Sequence, residues 1–190
     1  MQYAYPRLGQ ILRVALPALF VAQFLVWPLT GMFSPHLGIV VTEFVIIWFM
    51  ALYIRRNRLE TENLLLFNAT PPAILLIVLP TAISASLLVA EFDLYAADLL
   101  RLFDLGAPLS LQRNLIEIQL VRDYTEWPKI LFAVAFFPGI CEELFFRGFV
   151  FTGLYFHSGP PKALFFSALL FAAAHFNPWQ LPALFIFGLF

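Results

Sequence analysis

The sequence predicts an all-α fold: a polytopic bundle of transmembrane helices with about five full spans, a partial sixth and an interfacial amphipathic helix. Two observations carry this expectation. The 190 residues are 62% hydrophobic and 12% charged, whereas soluble domains are roughly half apolar and a quarter charged. The mean hydropathy is +0.86, and several stretches approach the roughly 20 apolar residues that cross a bilayer as one helix. The lipid bilayer is therefore the expected solvent. Lys and Arg number 11, are scattered, and leave a formal net charge of −1, so the basic stripe of a nucleic-acid binder is absent and nucleic acid is excluded as a partner. Cys141 is the single cysteine, which excludes an intramolecular disulfide and a Cys-rich zinc module.

The first span is expected from about Val14 to Phe33, with Pro17 and Pro28 inside it, as neighbouring membrane helices permit. Arg7 and Arg13 precede most of it without a small-residue cleavage site, so it reads as an uncleaved span rather than a signal peptide. The second, about Leu37 to Ile54, is followed by Arg55, Arg56 and Arg58. Two crossings bring that cluster to the face of Arg7 and Arg13, which the positive-inside rule makes cytoplasmic. The third is expected from about Pro72 to Val89. A polar stretch, Glu91 to Lys129, comes next. There Leu99, Leu100, Phe103 and Leu105 alternate with Asp98, Arg101 and Asp104, the pattern of an interfacial amphipathic helix on the outer face.

A fourth apolar stretch runs from Ile130 to Phe156, interrupted at Pro138 and Gly139. A turn at His157 to Pro161 follows, because Pro and Gly punctuate helices. The fifth span begins near Ala163 and reaches His175 before Asn177 and Pro178 interrupt it. The sixth begins at Leu181 and has ten residues to Phe190, about 15 Å of helix, or half a bilayer. Neither a repeat nor a low-complexity linker divides the chain. One membrane domain over 1–190 is expected, with spans in 1–90, the interfacial segment in 91–129 and the motif-bearing spans in 130–190.

Chemistry concentrates in the fourth stretch. Ionisable groups in a span cost at least about 2.5–3.5 kcal/mol each at its centre, and Glu142, Glu143 and Arg147 fall within six residues. Glu143 and Arg147 stand four apart with the acid first, the order of a favourable helical ion pair. That pair has a purely structural reading. Glu142 lies about 100° around the helix from Glu143 and lacks such a partner, so it must face a cavity or another polar group, or carry a proton. Glu143 and His175 lie 16 residues on either side of Gly159. Straight antiparallel helices would bring the carboxylates and the imidazole to one depth, where they could share a water. A small transporter using Glu142 and His175 as a proton relay is a further reading of such groups. Glu43, in the second span, is expected to pair with Gln23 or Arg147. Trp27, Trp48, Trp127 and Trp179 lie toward span ends, as belt residues do.

The run Glu142-Glu143-Leu144-Phe145-Phe146-Arg147 resembles the EExxxR motif of the CAAX protease and bacteriocin-processing (CPBP) family of intramembrane proteases, and Phe171 to His175 resembles its FxxxH motif. Both lie on consecutive spans in the family's order. The resemblance is densest from about Phe132 to Phe190. It implies endoproteolysis of a peptide or protein substrate with a membrane-associated tail or leader, in an integral, multi-pass protein of a prokaryotic cell (inner) membrane. By that resemblance the catalytic residues are Glu142, as the base that activates water, and His175, which assists, while Glu143 and Arg147 shape the site.

No cofactor and no metal site are expected, with zinc as the alternative, because one His and one or two carboxylates fall short of three protein ligands and no HExxH occurs. The family's third motif, a His followed four residues later by Asn or Asp, has no counterpart. Asn177, two residues past His175, is expected to point elsewhere, His157 lies in the turn and His36 near the opposite interface. A chain ending within a span is accordingly expected to be a piece of a longer protease. The alternative is an inactive family member with a binding or bacteriocin-immunity role.

Overall fold

The computed structural model describes residues 5–65, 71–121 and 123–190, so Arg122 of the polar stretch lies outside the described residues. They form helices and connecting turns, with no strand among the described residues. Helix α1 spans Leu8–Gly31, α2 Pro35–Arg56, and α4 Pro72–Leu102, each long and apolar enough to cross a membrane. Between α2 and α4 lies the short α3, Thr61–Leu65. Helix α5 covers Leu109–Gln119. Residues 127–158 then form one continuous helix, α6. Helix α7 covers Pro160–Ala174 and α8 Leu181–Gly188.

Pro28 and Pro138 do not break their helices. In α1 and α6 alike, six residues adopt the wide π-helical turn, Val21–Val26 and Leu131–Phe136, immediately before a Trp-Pro or Phe-Pro step. Proline lacks an N–H and its ring collides with the carbonyl four residues back; a wider turn ahead of it relieves both problems without ending the helix. Pro138 and Gly139 therefore sit inside α6, which corrects the expected interruption.

Two boundaries in the polar stretch also differ from expectation. Helix α4 runs 31 residues, past Val89 to Leu102, so Asp98, Leu99 and Arg101 belong to its last turns and not to a separate helix. The amphipathic helix is α5, which begins after Asp104 takes a left-handed conformation (φ 57°) and Pro108 caps the new start. Helix α1 starts six residues earlier than expected, at Leu8, with Arg7 in its cap.

The core lies among α1, α2, α6 and α7. Helix α2 buries Gly38, Thr42, Ile46, Met50 and Ile54, one residue in four, a single stripe turned to its neighbours. Phe145, Phe149, Val150 and Leu154 of α6 are fully buried against it, with Ile11 of α1. Glycines allow the closest approaches: a Cβ at Gly38 would stand 2.8 Å from the Trp27 ring, and one at Gly188 of α8 2.9 Å from the Ala168 Cα of α7. Helix α4 stands apart, burying only Ala85 and packing along α8.

Candidate active site

Antiparallel α6 and α7 build the site. Gly159, at φ 78°, reverses the chain between them, a conformation that costs glycine little because it has no Cβ. On α6, residues Glu143–Phe151 follow wide π-helical turns, which leave backbone carbonyls in need of donors. Two hydroxyls supply them: Ser167 of α7 donates to the Phe146 carbonyl at 2.9 Å, and Thr152 donates to the Arg147 carbonyl at 3.2 Å. The first bond is buried and ties α7 to α6 beside the charged groups.

The two adjacent glutamates diverge. Glu142 turns inward, its side chain 23% exposed, and its Oε1 stands 3.6 Å from Nε2 of His175. Glu143 turns outward at 60% exposure and meets Arg147 at 3.3 Å. The expected convergence of a carboxylate with His175 is therefore made by Glu142, and the helical ion pair by Glu143 and Arg147. Equal counts from Gly159 matched Glu143 to His175 only on the premise of straight α-helices. The helix carrying the acids is locally widened, and which carboxylate faces inward depends on rotation about the axis as well as on depth.

His175 caps the C-terminal end of α7 and is held by that helix's own backbone. Its Nδ1 lies 2.8 Å from the Phe171 carbonyl. A carbonyl only accepts, so Nδ1 carries the hydrogen, and in the neutral ring Nε2 offers its lone pair toward Glu142. The separation of 3.6 Å exceeds a direct hydrogen bond, and is one that a water about 2.8 Å from both atoms would bridge. The Arg147 guanidinium lies 4.8 Å above the Phe171 ring, so it braces the residue whose carbonyl orients the imidazole.

Glu142 and His175 open onto a cavity of about 530 Å³. Glu43 lines the same cavity and makes no ion pair or hydrogen bond to Arg147 or Gln23 among the described residues, which corrects the expected pairing. Leu111, Leu115 and Ile118 of α5 form part of its wall, and His36 at the start of α2 donates from Nε2 to the Ile118 carbonyl at 2.9 Å, pinning that helix. Their spacing of four and three was a usable signal for this face. Asn177 and Trp179 also line the cavity, so Asn177 does not point away. The helix stops at Ala174, and the angular argument that turned Asn177 aside does not apply beyond that end. His157 stays at the turn, bonded to the Tyr5 carbonyl at 3.0 Å.

A catalytic zinc takes three protein ligands. Among the described residues no three His, Cys, Asp or Glu side chains are grouped to supply them, so this donor set does not fit zinc and no step is routed through a metal.

No curated protein and no solved structure matches the chain. Residues 125–190, about a third of its length, match the family model described as type II CAAX prenyl endopeptidase Rce1-like. That segment contains the paired glutamates, Arg147, Phe171 and His175. Over it the chain is similar to the Rce1-like type II CAAX prenyl endopeptidases, in agreement with the resemblance its two motifs carry.

Proposed function

We propose that this chain carries the water-activating centre of an intramembrane endopeptidase of the CAAX-protease type. The similarity of residues 125–190 is to a family of proteases, and the observation that carries the finer reading is the approach of Glu142 to Nε2 of His175 on a cavity wall. A water between them gives one hydrogen bond to the Glu142 carboxylate and another to the imidazole lone pair, leaving its oxygen to attack. As the water oxygen bonds to the carbonyl carbon, Glu142 takes its proton and the carbonyl oxygen takes the electron pair. Collapse re-forms the carbonyl, breaks the C–N bond and returns the proton from Glu142 to the departing amine. Arg147 and Glu143 position the centre without entering the proton path, through the Phe171 ring and its carbonyl.

The substrate is a peptide or protein whose tail or leader is membrane-associated, since the cavity lies among helices of membrane-spanning length. The protein is integral and multi-pass, with α6 and α7 added to the three spans recognised by length. The test is cleavage of a panel of membrane-anchored peptides by the chain with its native flanking sequence, with and without Glu142→Ala. Cleavage lost in the variant is the expected result. Cleavage indifferent to Glu142, or none by the parent, overturns the reading and leaves a binding role ahead.

A further inference from the structure

Addition of water to a peptide carbonyl leaves negative charge on its oxygen. A donor held in advance at that position stabilises it far more than one that must be gathered during the reaction. Several polar groups line the cavity with Glu142 and His175, and most are committed elsewhere or unanchored. The Thr42 hydroxyl donates back into its own helix, to the Gly38 and Ile39 carbonyls at 2.9 and 2.8 Å. Trp179 Nε1 donates to the Leu105 carbonyl at 2.9 Å. Gln23 and Asn114 reach the cavity with no hydrogen bond to fix their amides among the described residues.

Asn177 differs in being held from both sides. The Trp179 backbone N–H donates to its Oδ1 at 3.2 Å. A backbone N–H only donates, which assigns that atom as the oxygen and places Nδ2 opposite. Nδ2 donates to Gln180 Oε1 at 2.7 Å, and Gln180 Nε2 donates to Asp93 Oδ2 of α4 at 3.4 Å. The direction of every bond in this series is fixed by its ends, a backbone donor and a carboxylate. An amide nitrogen has two hydrogens, and the second on Asn177 has no acceptor among the described residues. Phe176, between His175 and Asn177, takes a left-handed backbone (φ 49°), an uncommon conformation for a bulky residue that cavity-building segments retain. It turns the chain so that the two side chains share one cavity.

We infer that Asn177 is a further catalytic residue, donating its second Nδ2 hydrogen to the carbonyl oxygen of the scissile peptide, with Gln180 and Asp93 as positioning residues. This rests on the peptidase reading. It also gives α4, otherwise loosely packed, a contact that the site depends on.

The test measures kcat and KM for the chain with its native flanks, reconstituted in lipid vesicles, on the best-cleaved membrane-anchored peptide. Asn177→Ala is expected to lower kcat about a hundred- to a thousandfold with KM within about threefold. Asn177→Asp keeps the Trp179 contact but cannot donate, and is expected to be as poor. Gln180→Ala loosens the donor without removing it and should lower kcat by about tenfold. Melting temperatures of the solubilised variants separate loss of fold from loss of catalysis. Glu142-dependent cleavage with kcat for Asn177→Ala or Asn177→Asp near the parent's overturns this inference alone. Absence of Glu142-dependent cleavage in the parent overturns the peptidase reading, and this one with it.

Discussion

Glu142 and His175 meet at 3.6 Å across the antiparallel pair α6 and α7, and the proton on the far nitrogen of His175 is fixed by the Phe171 carbonyl. The pair acts as a unit if it activates one water. Glu142→Gln and His175→Ala are each expected to lower kcat by about 10²–10⁴-fold. The double variant should fall little below the worse single one, because removing either member already disables the pair. Full multiplicative loss, measured in one kinetic series, would show the two working independently.

Glu143 and Arg147 are predicted to matter unequally, despite being ion-paired. Glu143 is mostly exposed, and exposed pairs contribute about 0–1 kcal/mol, so Glu143→Ala should reduce kcat less than tenfold. Arg147 also covers the Phe171 ring, an interaction of about 0.5–2 kcal/mol. Arg147→Ala is therefore expected to cost roughly two- to thirtyfold, and Arg147→Lys should recover little, since a point charge lacks the planar face of the guanidinium. Equal losses for Glu143→Ala and Arg147→Ala would place the ion pair itself in the mechanism.

The helical bundle was legible because each span carries its own signal: apolar length, basic ends, and Pro or Gly at the reversals. Glu142 was legible as the acid without a helical partner, an argument that needs only spacing. Its approach to His175 was less so, because rotation about α6 is set by the wide turns of residues 143–151, and no residue type announces such turns. Asn177 was misplaced since the point where α7 stops decides its direction, and boundaries are the least certain part of a reading from sequence. The amphipathic helix was displaced by one element because α4 continues through polar residues at its end, where periodicity alone does not distinguish a helix leaving the bilayer from one lying on it.

Helix packing gives a stability prediction from two glycines. At Gly148 a Cβ would meet the tip of the Leu65 side chain at 2.8 Å, and at Gly188 the Ala168 Cα at 2.9 Å. A leucine tip can rotate aside, while a backbone atom moves only with its helix. Gly188→Ala should destabilise the protein by about 1–3 kcal/mol, as overpacking does. Gly148→Ala should come out near neutral, because alanine regains about 1 kcal/mol of helix propensity. Thermal melts in detergent would check the order, and a larger loss at Gly148 would mean that Leu65 is held rigidly.

The turn between α6 and α7 should lie on the cytoplasmic side. It sits beside the chain's start, with Tyr5 and Phe156 stacked at 3.7 Å and His157 bonded to the Tyr5 carbonyl. Arg7 at the start of α1, Arg55 and Arg56 at the end of α2, and Lys162 after the turn thus gather at one end of the bundle. Basic residues near span ends stay inside. Ser158 is exposed in this turn, and the natural thiol of Cys141 is buried, so a Ser158→Cys variant can be labelled with little background. Modification by a membrane-impermeant reagent is expected only after the cell is opened. Labelling of intact cells would put the basic end outside and reverse the direction from which substrates reach the cavity.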